Sequence, residues 1–345
     1  MQKQYNFAVV GATGLVGGTM LQVLAESEDM AIGSVRAMAT ARSAGCSVEF
    51  RGRSIQVEDI ASADFSGVDI ALFAGGDIAS ADYAHRAAEQ GAVVIDNSAT
   101  FRMDPKVPLV VPEVNAHALK DHKGIIANPN CSTIQMMSVL GPLHKTFGLK
   151  SVSVSTYQSV SGAGKEAVKE LVAQSEAFVK GGADGAEVPE SGIFPRRIAF
   201  NLFPQIGSFG ADGISTEERK MVEETRKILE IPGLPVLATC VRVPVFFAHS
   251  EAVQAAFDKP CTAEEARALL EEAPCVKVMD DTAAGVYPTP ADAEHQDMVL
   301  VGRLRRDITA ENGLAMWVVA DNLRKGAATN AVNIARALIS AGLAG

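Results

Sequence analysis

The chain has 345 residues, of which 48% are apolar and 21% are charged, and its net charge is −10. This length favours two domains of ordinary globular composition, and the acidic balance with scattered Lys and Arg residues argues against a nucleic-acid-binding surface. The five cysteines include no C-x-x-C pair, which indicates a protein with neither disulfides nor a bound metal. No apolar run approaches the ~18 residues that a membrane span needs, so we expect a cytoplasmic protein.

The first 130 residues alternate between short apolar runs and helical stretches. Such alternation is typical of parallel strands in β-α-β units. Residues 1–130 are therefore predicted to form an α/β domain with a doubly wound parallel sheet that binds a nucleotide. The predicted strands are 5–10, 34–39, 68–73, 92–96, 109–111 and 124–126, and the predicted helices are 18–28, 80–90 and 115–121.

A glycine-rich turn joins the first predicted strand to the first helix. Gly11, Gly14 and Gly17 have the spacing G-x-x-G-x-x-G. Glycines at this junction allow a tight turn and the close approach of a pyrophosphate to a helix N-terminus. In this context the motif predicts a Rossmann-like dinucleotide site, and the alternative is a turn that only packs. The residues assigned to this site are Gly11, Thr13, Gly14, Leu15, Val16 and Gly17.

The end of the second predicted strand bears on the choice of coenzyme. An NAD-dependent enzyme usually has a carboxylate here for the ribose hydroxyls, whereas an NADP-dependent enzyme has a cation. Residues 39–45 contain no acid, and Arg42 with Thr40 and Ser43 has the chemistry to hold a 2′-phosphate. The segment favours NADP(H), unless Arg42 is simply a solvated loop residue.

Cys131 is the candidate nucleophile. Pro129 disfavours the α-helical conformation at Asn128, and Asn130 can accept hydrogen bonds from the first amides of a helix. The nearly uncharged stretch 134–140 predicts a buried helix that begins next to Cys131. A thiol at a helix N-terminus is favoured as the thiolate, although a free cysteine is also often only a small buried apolar residue.

The second half of the chain has a different pattern. Residues 151–159 alternate with period two, as in a half-exposed strand. We predict an α+β catalytic and dimerisation domain with a mixed sheet over residues 131–322. The last helix, 330–340, is expected to return to the first domain, which residues 323–345 complete. Further predictions are helices 165–179 and 215–229, a loop at 181–187, and strands 238–245, 250–257, 298–304 and 314–320.

Three polar residues stand out in the second domain. Gln158 ends the strand before Gly162-Ala163-Gly164, a turn that exposes backbone amides. Arg242 lies within an apolar strand, where its charge needs an anionic partner, either a structural carboxylate or a substrate carboxylate. His249 follows on the same segment. A lone histidine is more often structural, but its position after this arginine makes it a candidate for catalysis.

Seven segments of the sequence, several of them named above, resemble the aspartate-β-semialdehyde dehydrogenase family. The resemblance extends over essentially the whole chain. The resemblance implies reduction of L-aspartyl-4-phosphate by NADPH, with release of phosphate and L-aspartate-4-semialdehyde on the route to lysine, threonine and methionine. Cys46 stands where a lysine is common in the family, and no role is assigned to it. The segments that carry the resemblance are 11–17, 41–45, 110–115, 128–133, 155–164, 239–249 and 321–328.

The resemblance also implies a role for each candidate residue at a matching position. Cys131 attacks the acyl phosphate and forms a thioester, Gln158 orients the intermediate, and His249 acts as general acid and base. Five further residues bind the substrate. Arg242 binds its α-carboxylate, Glu217 faces its α-amino group, and Asn130 also contacts it, while Arg102 and Lys220 bind the phosphate.

For the coenzyme, the resemblance adds Gly75, Ser161, Gly162 and Asn322 to the glycine-rich turn. It further implies a homodimer formed through the second domain, or a tetramer built from two such dimers. The partners expected are therefore small-molecule substrates and a second copy of the chain.

Other functions remain open at this point. N-acetyl-γ-glutamyl-phosphate reductase uses the same chemistry on a substrate one carbon longer with a blocked amine; Glu217 and the Gln158 segment favour the aspartyl substrate. Glyceraldehyde-3-phosphate dehydrogenase shares the architecture and a Cys/His pair, but its cysteine context differs. A non-catalytic NADP-binding sensor would need none of Cys131, Gln158, Arg242 and His249.

Overall fold

The computed structural model describes residues 3–185 and 187–344. Within this part of the chain, no helix is both long enough and apolar enough to cross a membrane. Two short 3-10 helices, Ala116–Asp121 and Val160–Ala163, and one π-helical turn, Arg324–Ala328, accompany the α-helices. The α-helices of the described residues are α1 (Leu15–Glu26), α2 (Asp77–Glu89), α3 (Pro112–Asn115), α4 (Cys131–Phe147), α5 (Lys165–Gly185), α6 (Thr216–Ile228), α7 (Ala263–Glu271), α8 (Pro290–Ala293) and α9 (Thr329–Ser340).

The strands of the described residues belong to two separate sheets, one in each of two compact units. Those of the first sheet are β1 (Tyr5–Val10), β2 (Ile32–Ala39), β3 (Ser47–Phe50), β4 (Arg53–Asp59), β5 (Ile70–Phe73), β6 (Val93–Asp96) and β7 (Ile125–Ala127). Those of the second are β8 (Leu149–Gln158), β9 (Val236–Arg242), β10 (His249–Phe257), β11 (Val276–Val278), β12 (Val299–Asp307) and β13 (Gly313–Ala320).

The first unit contains the chain up to Ile134, Arg226–Ile231 and the chain from Arg324 onwards. Its strand order is β3-β4-β2-β1-β5-β6-β7, and every neighbouring pair is parallel except β3 and β4. Strands β5 and β6 are buried along their whole length, as expected of a parallel sheet covered on both faces. This confirms the predicted doubly wound parallel sheet.

The first sheet differs from the prediction in two places. The hairpin β3–β4 was not predicted, because its residues are exposed or half-buried except for Val57, and neither strand has an apolar run. The predicted strand 109–111 is only an isolated bridge between Leu109 and Ala127. Pro108 and Pro112 flank it, and proline cannot donate a hydrogen bond to a ladder.

The core of the first unit lies between its sheet and helices α1 and α9. Helix α9 contributes a buried stripe, Ala331, Ile334, Ala335 and Leu338, to the same cluster as residues of β1 and β5. A buried ion pair lies beside this core. The Lys325 ammonium, on the π-helical turn, is fully buried and lies 2.8 Å from Oε1 of Glu113.

The second unit contains Gln135–Thr225 and Pro232–Leu323. Its strand order is β11-β12-β13-β10-β8-β9, with the pairs β8–β9 and β11–β12 parallel and the others antiparallel. The predicted mixed sheet is therefore confirmed. Strand β8 alternates between buried and more exposed residues, as its period-two pattern predicts.

The segment predicted as a loop at 181–187 is helical for part of its length. Helix α5 is interrupted at Gly182, whose φ of 72° lies in the left-handed region, and helical structure then resumes as far as Gly185. Ala186 lies outside the described residues. Residues 181–185 of the predicted loop are therefore part of α5, which is broken at Gly182.

Candidate active site

A cavity of about 220 Å³ lies at the carboxyl ends of β1, β2 and β5 in the first unit. Loops at this edge of a parallel sheet are the usual place for a nucleotide. Most of its lining belongs to the predicted coenzyme set, including Gly11, Thr13, Gly14 and Gly75. None of the described lining residues is Asp or Glu.

The glycine-rich turn has the close packing that a dinucleotide site requires. Gly11 has φ +80°, and a Cβ built there would lie 2.5 Å from the Ala74 carbonyl oxygen. A Cβ on Gly17 would lie 2.1 Å from the carbonyl oxygen of Gly11. No side chain of the described residues caps helix α1, which begins at Leu15, so no side chain competes with a bound anion for its first amides. These residues fit a nicotinamide dinucleotide.

Thr40, Arg42 and Ser43 line the same cavity after β2. Arg42 is exposed and Ser43 half-buried. The Arg42 guanidinium and the two hydroxyls can all donate hydrogen bonds to a phosphate, and none of the three groups carries a negative charge that would repel it.

Cys131 is the first residue of α4 and follows β7 at the same edge of the first sheet. The side-chain oxygen of Asn130 accepts hydrogen bonds from the amides of Ser132 at 3.0 Å and Thr133 at 3.3 Å. This confirms the predicted helix cap. The segment 134–140 is fully buried, also as predicted, whereas the Cys131 side chain keeps partial exposure.

The turn before the cysteine is fixed by buried amides. Asn128 is fully buried and donates from Nδ2 to Oδ1 of Asn97 at 2.7 Å. Its own Oδ1 accepts from Nδ2 of Asn330 at 2.7 Å. Because both hydrogen bonds join distant parts of the chain, they hold the start of α4 in one position.

Arg102 follows β6 and is almost completely buried. Its Nη2 donates to the carbonyl oxygen of Asn97 at 2.9 Å. The loop that carries it is held by Lys227, whose ammonium donates to the carbonyl oxygens of Arg102, Asp104 and Val107 at 2.6–2.8 Å. Sequence reasoning missed Lys227, because nothing in its local pattern distinguishes it from other lysines near the end of a helix.

In the second unit, Gln158, Glu217 and Lys220 form a chain of polar contacts. Gln158 is at the carboxyl end of β8, and its Nε2 donates to Oε1 of Glu217 at 3.2 Å. The Lys220 ammonium lies 3.2 Å from the other oxygen of Glu217. Glu217 is nearly buried, whereas Lys220 keeps about a third of its side-chain surface exposed.

Arg242 and His249 lie at the same edge of the second sheet. Arg242 pairs with Gln158 across β8 and β9, and Ser250, next to His249, pairs with Tyr157 across β10 and β8. Both Arg242 and His249 are buried. The structure therefore brings together the polar residues predicted on the second domain.

The short segment after β8 lies against both side chains. A Cβ built on Gly162 would lie 3.2 Å from Nη1 of Arg242 and 3.2 Å from Nε2 of His249. Arg242 also donates from Nη1 to the carbonyl oxygen of Ser159 at 2.5 Å. The absence of a side chain at Gly162 thus leaves room beside a guanidinium and an imidazole.

Ser161 and Asn322 belong to one buried network. Oδ1 of Asn322 accepts hydrogen bonds from the Ser161 hydroxyl, from the Ser159 hydroxyl and from the Ala248 amide, at 3.1, 3.1 and 3.0 Å. Ser159 was not among the predicted residues. Its importance depends on a partner 90 residues away in the sequence, His249, which local patterns do not reveal.

The chain matches two family models, the NAD-binding domain of semialdehyde dehydrogenases over residues 6–122 and their dimerisation domain over residues 140–325. An aspartate-semialdehyde dehydrogenase of Aquifex aeolicus is 49% identical to this chain. The match covers 98% of this chain and 99% of the Aquifex enzyme. The chain belongs to the aspartate-semialdehyde dehydrogenase family. It is therefore an oxidoreductase of amino-acid biosynthesis with a site for a nicotinamide coenzyme.

Solved structures of aspartate-semialdehyde dehydrogenases have the same fold. Aspartate semialdehyde dehydrogenase II of Vibrio cholerae, complexed with ASA, has a TM-score of 0.93 and 45% identity, with 98% of this chain and 99% of that chain covered. The Candida albicans enzyme, solved with NADP, has a TM-score of 0.76 and 25% identity. The match covers 99% of this chain and 100% of the Candida chain.

Proposed function

We propose that the chain reduces L-aspartyl-4-phosphate with NADPH and releases phosphate and L-aspartate-4-semialdehyde, a step towards diaminopimelate, lysine, threonine and methionine. The observation that carries this proposal is the set of charges in the second unit. Arg242 provides a buried guanidinium, Glu217 a buried carboxylate and Lys220 an ammonium. Gln158 and His249 belong to the same unit. This set complements a substrate with a carboxylate, an ammonium and a phosphate.

The proposed chemistry begins at Cys131. Its thiolate attacks the acyl carbon, and the bond to phosphate breaks after the carbonyl oxygen has carried the negative charge. The product of this step is a thioester. When bound, the coenzyme supplies the hydride that reduces it. The carbon–sulfur bond then breaks, and Cys131 leaves with the electron pair as a thiolate. The amides at the start of α4 are suited to stabilise the charged oxygen.

The binding roles follow the charges of the side chains. Arg242 holds the α-carboxylate and Glu217 faces the α-amino group. Arg102 and Lys220 bind the phosphate that leaves. Gln158 and Asn130 orient the reacting acyl group, and Asn130 does so while it caps α4.

A comparison of two acyl phosphates tests the choice of substrate. We expect kcat/KM for L-aspartyl-4-phosphate to exceed that for N-acetyl-γ-glutamyl phosphate by at least about 10²-fold, because an acetylated amine has no positive charge and cannot replace the contact between a substrate ammonium and the buried Glu217 carboxylate. NADPH oxidation measured with each purified compound checks this. Equal rates, or a preference for the acetylated compound, would show that Glu217 does not select the substrate.

The coenzyme is proposed to be NADP(H), because Arg42 and Ser43 line the cavity and no acid does so among the described lining residues. Replacing Arg42 with Ala should raise the KM for NADPH by about 10–10²-fold, since a charge-assisted contact to the 2′-phosphate is lost. The KM for NADH should change little. Steady-state kinetics with both coenzymes measure the difference, and Arg53→Ala, an exposed change on β4 outside the cavity lining, is the matched control. Parallel changes for the two coenzymes would contradict the role of Arg42.

We also propose a homodimer that uses the open face of the second sheet. Tyr157 and Leu237 are 36% and 66% exposed on this face, where Tyr157 contacts Trp317 with 5.5 Å between ring centroids. Light scattering should give twice the chain mass of 36.2 kDa for the wild type and the single-chain mass for Tyr157→Glu/Leu237→Asp. Ile308→Asp, which changes an exposed residue elsewhere on the unit, should remain dimeric. A mass of four chains would support a dimer of dimers, and a monomeric wild type would contradict the proposal.

A further inference from the structure

We infer that Lys227 is a positioning residue for the phosphate of the substrate, because its ammonium holds in place the loop that carries Arg102. Lys227 itself need not touch the substrate. The binding of phosphate by Arg102 rests on the proposed function, whereas the hold on the loop depends only on contacts within the first unit.

The loop runs from Asn97 to Pro108, and both of its ends are attached to the first sheet. The Asn97 amide donates to the carbonyl oxygen of Phe73 on β5 at 2.9 Å. The Ala127 amide on β7 donates to the carbonyl oxygen of Pro108 at 2.9 Å. Arg102 lies between these two attachments, so its position depends on further contacts.

Three carbonyl groups of the loop converge on the Lys227 ammonium. Its Nζ donates to the carbonyl oxygens of Arg102 at 2.6 Å, Asp104 at 2.8 Å and Val107 at 2.8 Å. An ammonium has three N–H donors, so a single cation matches these three acceptors. Without it, the negative ends of three carbonyl dipoles would lie close together and repel one another. The shape of the loop therefore depends on the charge of Lys227.

The hydrogen bonds within the loop form turns. The Asp104 amide donates to the carbonyl oxygen of Phe101, and the Val107 amide donates to that of Asp104, both at 3.1 Å. The Lys106 amide donates to Oδ1 of Asp104 at 2.8 Å. Such short-range bonds define the shape of a turn but not its place in the molecule. Lys227, which is at least 120 residues away in the sequence, supplies the contact that fixes this place.

Arg102 is thereby held at both ends. Its carbonyl oxygen accepts from Lys227, and its Nη2 donates to the carbonyl oxygen of Asn97 at 2.9 Å. Asn97 is fixed in turn by Asn128, whose Nδ2 donates to its Oδ1 at 2.7 Å. A long side chain whose backbone and head group are already fixed loses little conformational entropy when it binds an anion. Loss of Lys227 should therefore weaken the binding of phosphate by Arg102.

The reaction run as an oxidation tests this role. L-aspartate-4-semialdehyde, NADP⁺ and inorganic phosphate are then the substrates, and each has its own KM. We expect Lys227→Met to raise the KM for phosphate by at least about tenfold and to change the other two by less than about twofold. A purely structural loss would lower kcat by reducing the fraction of folded enzyme and would leave all three KM values unchanged, which would overturn the inference.

Two further variants control this experiment. Lys123 is exposed and lines the same cavity of about 390 Å³ as Lys227, so Lys123→Met removes an equal charge nearby and should not change the KM for phosphate. Lys227→Arg keeps the charge but presents its donors as a planar fork. It should fold and raise the KM for phosphate by a smaller factor, about threefold. An equal rise in Lys123→Met, or an unchanged KM in folded Lys227→Arg, would contradict the proposed role.

A double variant shows whether Lys227 acts through Arg102. In an Arg102→Met background, the additional change Lys227→Met should alter the KM for phosphate by less than about threefold, because the group that Lys227 positions is already absent. If the two effects multiplied instead, Lys227 would attract phosphate by its own charge and would not be a positioning residue.

Hydrogen exchange of the ligand-free protein tests the hold on the loop without catalysis. We expect peptides that cover residues 101–108 to exchange at least about tenfold faster in Lys227→Met than in the wild type, and peptides of β1 and β5 to exchange equally in both. Equal exchange of the loop would overturn the inference. If the wild type oxidised no semialdehyde, the proposed function would fail, while the exchange rates still decided whether Lys227 fixes the loop.

Discussion

Replacing Cys131 with Ala is expected to lower kcat by at least about 10⁴-fold, because the covalent route through the thioester is then closed. The affinity for NADPH should remain within about twofold, since Cys131 does not line the cavity of the glycine-rich turn. Turnover is measured with L-aspartyl-4-phosphate, and NADPH binding by fluorescence titration. Survival of turnover would mean that the reaction does not proceed through a thioester on this residue.

A matched control separates Cys131 from the other thiols. Cys46 is also accessible, and Cys46→Ala should leave turnover unchanged. Burial raises the pKa of Cys240 strongly, which makes this thiol unreactive. Substrate without coenzyme should therefore leave a mass adduct on Cys131 and on no other cysteine, and peptide mass spectrometry identifies the site.

Replacing Arg242 with Met is expected to lower kcat/KM for the acyl phosphate by about 10²–10³-fold, because a paired guanidinium contact to the α-carboxylate is lost. The effect should be mainly on KM if the carboxylate is bound equally in the ground and transition states. Arg242→Lys keeps the charge but loses the planar fork, so we expect it to recover only part of this loss. The buried position of Arg242 leaves little room for water to take its place.

Arg306→Met is the control for Arg242, since it removes an exposed arginine from β12 of the same unit. It should change kcat/KM by less than about twofold, as expected for an exposed charge. Thermal unfolding of each variant shows whether a loss of activity reflects loss of folding. If folded Arg242→Met kept wild-type kinetics, the substrate carboxylate would have to bind elsewhere.

The sequence predicts the parts of this fold that depend on local patterns. Continuous apolar runs identify β1, β5 and β6. Helix α1 begins at Leu15, within the glycine-rich turn, and therefore three residues earlier than predicted. The hairpin β3–β4 could not be predicted in the same way. Its apolar residues are few and separated by polar ones, and β4 pairs with β2, so the hairpin depends on a neighbouring strand and not on an apolar run of its own.

The candidate site shows the same limit at the level of side chains. Asn130 and Cys131 were predicted because a helix start has a local signature. Ser159 and Lys227 were missed because each acts through residues that are distant in the sequence. Local chemistry indicates which residue types can react, but only tertiary contacts show which neighbours fix their positions.

The buried pair of Lys325 and Glu113 has a consequence for sequence variation within the family. Its two charges come from segments 212 residues apart and meet where almost no water reaches them. Loss of one partner leaves an uncompensated buried charge, which costs about 3–5 kcal/mol, whereas an apolar pair of similar volume can be tolerated. Substitutions at one position should therefore be accepted together with compensating substitutions at the other.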